Sequence, residues 1–124
     1  MAKEKCRPEL VEGQQAHENI VRVYLNNCKE IEIPILDKSE FGVYILMCRD
    51  KSLYVGHSSN MGERISRHIK GEGSEYTKKK RPVQLIYCEV YNNETIAIRR
   101  EKQLKGWGRK KKFLLISGQM NKNI

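Results

Sequence analysis

Residues 41–57 read FGVYILMCRDKSLYVGH. Two β-rich runs, 41–48 (FGVYILMC) and 52–57 (SLYVGH), flank the polar turn Arg49-Asp50-Lys51. Runs rich in Val, Ile and Tyr on either side of turn residues predict a β-hairpin. If the chain turns at residues 49–52, even-numbered positions of both strands share one face, because side chains alternate along a strand. Gly42, Tyr44, Tyr54 and Gly56 then face one way, and Val43, Ile45, Leu53 and Val55 face the core. Glycines beside tyrosines on a sheet face predict a backbone open to close approach. A tyrosine pair taken alone is read more simply as core.

Beyond the hairpin the periodicity changes. Asn60 is a predicted N-cap with Glu63 three residues on, and Met61, Ile65 and Ile69 recur at helical spacing as a buried stripe. Gly71 and Gly73 end that helix. Residues 74–81 (SEYTKKKR) read as a basic loop, and Pro82 opens a third strand over 83–91 (VQLIYCEVY), broken by Asn92-Asn93. A second helix is expected from about residue 94 to Trp107, weakened by Gly106 and Gly108, then a short helix or extended turn over 109–116. The order β-β-α-β-α-α predicts a small α+β domain over 41–116, with a three-stranded, mainly antiparallel sheet flanked by helices.

Residues 1–40 read as an N-terminal appendage and 117–124 as a polar tail. Within the appendage, 20–25 (IVRVYL) and 31–36 (IEIPIL) suggest two short strands. They form a hairpin with each other or pair with an edge of the main sheet. Pro34 restricts the second to an edge.

Charge divides at the same boundary. Residues 1–40 carry 6 Lys/Arg against 8 Asp/Glu, net −2, and residues 41–124 carry 18 against 7, net +11. A basic segment of that size favours a polyanion as partner, through phosphate neutralisation and counterion release. The cysteines, Cys6, Cys28, Cys48 and Cys88, form no CxxC pair, so a structural zinc site is not expected. Neither a secretory leader nor a membrane span is legible, and a cytoplasmic protein is the default expectation.

Arg64 and His68 lie four apart, hence on one helix face. Ala97, Glu101 and Leu104 share helical spacing, so the Glu101 carboxylate falls on an apolar stripe and needs a partner. Arg64 is one option. A divalent ion such as Mg²⁺, which takes oxygen ligands and keeps several waters beside one or two carboxylates, is the other.

At this point the residues resemble a known family. Gly42-Val43-Tyr44 and Tyr54-Val55-Gly56 resemble the two halves of the GIY-YIG signature, each with Val for Ile. Arg64 and His68, Tyr76-Thr77, Pro82 and Glu101 follow in the family's order, and Lys105-Gly106-Trp107 with Arg109 and Lys111 looks like its short single-domain bacterial branch. The resemblance implies an endonuclease hydrolysing DNA phosphodiesters with one Mg²⁺ or Mn²⁺ on Glu101. Its tyrosine base is carried to Tyr44, with Tyr54 supporting. Arg64, a metal ion and His68 are expected to favour the phenolate. Arg64 would also clamp a non-bridging phosphate oxygen.

The basic runs Lys78, Lys79, Lys80, Arg81 and Arg109, Lys110, Lys111, Lys112 are expected on the phosphate backbone. Where many family members carry an asparagine after the glutamate, this chain reads Arg109-Lys110-Lys111-Lys112-Phe113. The alternatives are a non-catalytic nucleic-acid-binding module, or a nuclease subunit that takes specificity from a protein partner. Retention of all five site residues favours catalysis. DNA repair is one of several roles left open.

Overall fold

A computed structural model describes residues 7–9 and 20–120. The remainder of the expected appendage and residues 121–124 of the expected tail lie outside the described residues. In chain order the elements are β1 (Arg7–Glu9), β2 (Ile20–Leu25), β3 (Phe41–Met47), β4 (Leu53–Ser58), α1 (Met61–Lys70), α2 (Glu75–Lys79), β5 (Gln84–Tyr91), α3 (Glu94–Lys105) and α4 (Arg109–Ile116).

The hairpin forms with the parity expected of it. Tyr44 pairs with Gly56 and Leu46 with Tyr54, while Ile45 pairs with Val55. The turn is closed by Cys48 N–H donating to Ser52 C=O and Lys51 N–H donating to Cys48 C=O, each at 2.9 Å. Strand β5 pairs antiparallel along the other side of β3. The trio β5-β3-β4 is the three-stranded sheet expected from the sequence.

The sheet does not stop there, and the strand count is corrected to five, in the order β1-β2-β5-β3-β4. The outer edge of β5 accepts β2, with Tyr24 opposite Cys88 and Leu25 opposite Tyr87, and β1 pairs with β2. Residues 31–36 form no strand. Proline offers no ladder donor at position 34, and the stretch is tied instead by Ile31 N–H to Leu85 C=O at 2.9 Å.

Both faces of the sheet are covered. On the odd face, Val43, Ile45 and Val55 pack with Ala97 and Leu104 of α3 and with Leu115 and Ile116 of α4. On the even face, Tyr44 and Leu46 pack with Met61 and Ile65 of α1 and with Ile31. The even face is therefore core as well, not an open surface.

Two local expectations change. Helix α1 has the predicted cap, Asn60 Oδ1 accepting from Glu63 N–H at 3.2 Å, but it buries Met61, Ile65 and His68, whereas Ile69 is 48% exposed. The expected basic loop contains the single-turn helix α2. Ser74 and Thr77 satisfy each other's backbone N–H groups there in a capping box.

Helix α3 holds an unforeseen residue. Arg100 is buried on the sheet with Ala97 and Leu104. Its Nε and Nη2 donate to Glu89 Oε1 and Oε2, both at 2.8 Å. Tyr87 and Tyr91 hydroxyls donate to the same carboxylate at 2.6 and 2.8 Å. Burial pushes the Glu89 carboxyl up, but the bonds from Arg100 and the two tyrosines outweigh it and hold it below the ordinary range.

Arg100→Met would leave that carboxylate uncompensated. Removing one partner of a buried pair costs about 3–5 kcal/mol, to be read from urea unfolding; a loss below ~1 kcal/mol would contradict this account of the core. Since the folded-state pKa of Glu89 is depressed, its contribution is complete above the ordinary carboxylate range and is lost as pH falls below it.

Candidate active site

Three of the predicted residues, Tyr44, Tyr54 and His68, gather between the even face and α1. Tyr44 lies opposite Gly56 in the hairpin and leans across it. A Cβ at position 56 would sit 2.5 Å from the Tyr44 hydroxyl. That hydroxyl meets His68 Nε2 at 3.0 Å, and His68 Nδ1 meets Thr77 Oγ1 at 2.8 Å. The His68 ring also packs against Tyr54, centroids 5.1 Å apart, and Tyr54 against Tyr76 at 6.0 Å. Tyr44, His68 and Thr77 are buried, and Tyr54 is half-buried.

Electrostatics follow from that burial. The Tyr44 phenol is pushed well above its ordinary value, by burial first and then by Tyr54, against which Arg64 pulls it down only in part. His68 is pushed down by burial and by Arg64, so its ring is neutral near pH 7. Among the protein's own groups, desolvation of Tyr44 exceeds the pull of Arg64. Arg64 itself is exposed and makes no side-chain hydrogen bond or ion pair among the described residues.

Glu101 approaches from the other face. Strand β4 is the sheet edge, and His57, an odd-numbered position, points toward α3. His57 Nδ1 lies 2.5 Å from Glu101 Oε1, and Lys105 Nζ lies 2.8 Å from Oε2. Arg64 is thus not the partner of Glu101. Burial raises the Glu101 carboxyl, but hydrogen bonds from Lys105 and His57 prevail and hold it below its ordinary value. Tyr44 also feels the field of Glu101 from across the sheet. Tyr44, Tyr54 and His68 thus lie together on the even side with Arg64 on the exposed surface of α1, and Glu101 lies on the odd side with His57 and Lys105. His57 has no constellation around it in the sequence, and its place directly after Tyr54-Val55-Gly56 pointed only to a residue lining the site; its pairing with Glu101 was not legible.

The basic runs converge on the β3–β4 turn from opposite faces. Arg49 Nη1 donates to Arg81 C=O at 3.0 Å, Lys80 Nζ pairs with Asp50 at 2.6 Å, and Arg109 Nη1 donates to Lys51 C=O at 2.7 Å. Arg81 also donates to Lys70 C=O at 3.1 Å. Lys111 lies over the Trp107 ring and Arg109 over Phe113, at 4.3 and 4.8 Å. Lys112 is partly buried, which lowers its pKa. Lys78, Lys79 and Lys110 are exposed, with no side-chain partner among the described residues.

Set beside known proteins, residues 40–113 match the GIY-YIG catalytic domain. The chain belongs to the GIY-YIG family, whose catalytic domain is that of nucleases acting on nucleic acid. Its relatives narrow this further. A UPF0213 protein of Staphylococcus saprophyticus is 44% identical over 75 residues, covering 60% of this chain and 92% of that protein. One from Staphylococcus aureus is 43% identical over 74 residues, covering 60% and 90%. The solution NMR structure of the UPF0213 protein of Bacillus halodurans is 32% identical, covers 68% of this chain and 94% of that one, and has a TM-score of 0.45. The chain is a member of this small single-domain group. No helix among the described residues is long and apolar enough to cross a membrane.

GIY-YIG nucleases are generally dependent on divalent metal, and the residues here allow a sparse site. Among the described residues no three His, Cys, Asp or Glu side chains cluster. Glu101 is held toward its ionised form with a side chain 15% exposed, and the Lys105 side chain on its Oε2 is 54% exposed. One carboxylate, completed by water and a substrate phosphate, suits a hard oxygen-seeking ion.

The signature glycines act as packing sites here, and the two differ in tolerance. At position 42 a Cβ meets the flexible Met61 side chain at 2.8 Å, whereas at 56 it meets the rigid phenol of Tyr44. Gly56→Ala is therefore expected to cost about 1–3 kcal/mol by overpacking and to push Tyr44 off His68, and Gly42→Ala to cost less. Thermal unfolding of both variants tests the order, and equal losses would count against this packing account.

Proposed function

We propose that this chain is a divalent-metal-dependent endonuclease that hydrolyses DNA phosphodiester bonds at the β4 edge. The observation that carries the reading is Arg64, an exposed arginine with no carboxylate partner among the described residues, beside a buried tyrosine–histidine pair. It is the arginine whose charge acts on both Tyr44 and His68. An uncommitted guanidinium is suited to a phosphate oxygen, by bidentate geometry and by permanent charge.

The chemistry follows from protonation states. Tyr44 keeps its proton, so it can take a proton from an attacking water only as it delivers its own to His68 Nε2. The two transfers are concerted, and the imidazole finishes protonated. Tyr54, half-buried against the same histidine, shares in ordering the water. Arg64 binds a non-bridging oxygen as negative charge builds on the phosphoryl group. Bound on Glu101, Mg²⁺ or Mn²⁺ would neutralise charge on the leaving 3′ oxygen. His57 and Lys105 orient and ionise that carboxylate beforehand. The products carry 5′-phosphate and 3′-hydroxyl ends.

A second reading is a nucleic-acid-binding module without turnover, favoured by the 1% exposure of Tyr44. Purified protein incubated with single-stranded, duplex, flapped and branched DNA separates the two. Cutting is expected with Mg²⁺ or Mn²⁺ and none with EDTA. Arg64→Ala is expected to lower kcat by about 10²–10³-fold, the usual cost of an electrostatic stabiliser, with Tyr44→Phe and Glu101→Gln comparably impaired. Binding without cleavage under every condition would leave the second reading standing.

The basic surface around the hairpin turn would grip the phosphate backbone. Replacing Lys78, Lys79 and Lys110 together by Ala is expected to flatten log K against log salt on duplex DNA by about 0.9 per lost contact. An unchanged slope, measured in EDTA by fluorescence anisotropy, would remove these lysines from the interface.

A further inference from the structure

We propose that Thr77 is a positioning residue that holds His68 as the Nδ1–H tautomer, leaving a bare Nε2 lone pair aimed at Tyr44. The inference deepens the proposed mechanism and rests on it only for its kinetic consequence; the tautomer itself follows from hydrogen-bond accounting.

Thr77 is fully buried, and its hydroxyl has one proton to give. Oγ1 donates to Ser74 C=O at 3.3 Å and accepts from Ser74 N–H at 3.3 Å, within the capping box that defines α2. Ser74 Oγ also lies 3.1 Å away and accepts from Thr77 N–H at the same distance. With the hydroxyl proton engaged at Ser74, the 2.8 Å contact to His68 is satisfied by Nδ1–H donating to Oγ1. A neutral imidazole with its proton on Nδ1 carries an unshared pair on Nε2, and the Tyr44 hydroxyl donates to it at 3.0 Å.

The opposite tautomer breaks this order twice. Thr77 would have to turn its proton from Ser74 to Nδ1. Nε2–H would then donate to Tyr44, whose own hydroxyl proton has no protein acceptor among the described residues. Oη would present that proton to the attacking water instead of accepting the water's. The backbone is built for the first arrangement. A Cβ at position 73 would clash with His68 Nδ1, so Gly73 is the residue that lets the ring reach Thr77. In the proton step, the water proton passes to Tyr44 Oη as the Tyr44 proton passes to Nε2; the resulting imidazolium keeps Nδ1–H on Thr77.

The test is long-range ¹H–¹⁵N NMR of protein labelled in its histidine rings, with the His68→Gln spectrum assigning His68 among the three histidines. The wild-type chain is expected to show the Nδ1–H form. Thr77→Val, of similar shape without the hydroxyl, is expected to shift His68 toward the Nε2–H form, and Thr77→Ser to restore it. In the cleavage assay Thr77→Val should lose kcat by at least about tenfold, within the ~10²–10⁴ that general acid–base catalysis contributes, with KM unchanged and Thr77→Ser rescuing. A wild-type His68 in the Nε2–H form overturns the proposal even if Thr77→Val fails to fold. A folded Thr77→Val with unchanged tautomer overturns it as well. A correct tautomer in a chain that never cuts DNA would instead refute the nuclease reading and leave the Thr77 assignment intact.

Discussion

The Glu89–Arg100 pair constrains more of this protein than any other contact. It crosses from β5, inside the sheet, to α3, which covers the odd face. Two charges leave water together, which is tolerable only because each carboxylate oxygen receives an arginine N–H and a tyrosine O–H. Arg100 is further braced by Gln103 at 2.7 Å and by the Trp107 ring at 5.2 Å, so the turn after α3 is fastened to the same group. Helical residues are set about 100° apart. Once Arg100 is locked onto Glu89, the next side chain, Glu101, is swung toward the β4 edge and meets His57. The fold's strongest polar lock and its candidate metal ligand are neighbours on one turn of helix, and the first aims the second.

A sheet covered on both faces leaves chemistry to its rim. Tyr44 and His68 belong to the core beneath α1, yet the hydroxyl of Tyr44 reaches across Gly56 toward the last strand, and Glu101 arrives there from beneath. The site is assembled where two packed layers end together. Gly56 serves this by having no side chain, so that a rigid ring can lie across the backbone. The glycine-and-tyrosine signature is in this sense a packing rule. His68 is a polar ring at a buried position on α1. It is tolerated because Tyr44 and Thr77 satisfy both ring nitrogens.

The hairpin, the cap of α1, the extent of β5 and the inward orientation of Glu101 were legible in the sequence. Each depends on contacts a few residues apart, where alternation or helical spacing decides which face a side chain takes. The resemblance supplied the five site residues in order; Tyr44, Tyr54 and His68 meet on the even face, and Glu101 pairs with His57 on the odd one. Less legible were the elements whose state depends on a distant neighbour. Residues 20–25 offered two pairings, and only the open edge of β5 selected one. Position 69 fits the helical stripe as well as position 68 does, but the ring of His68 found partners below the helix and Ile69 turned outward. Arg100 gave no sign of burial, since an arginine on a basic helix is ordinarily a solvated one.

The amino-acid sequence by itself determined the register parity of the signature strands, the basic character of the segment from residue 41 onward and the family to which the chain belongs. Tertiary structure decided which polar group satisfies which. His57 and Glu101 are 44 residues apart, Tyr44 and His68 are 24 apart, and no local period links either pair. Periodicity encodes the direction in which a side chain leaves its own backbone. The partner it meets is set by how the layers stack, and so the protonation of Tyr44, the pairing of Glu101 and the freedom of Arg64 emerge only once the sheet has a helix on each side.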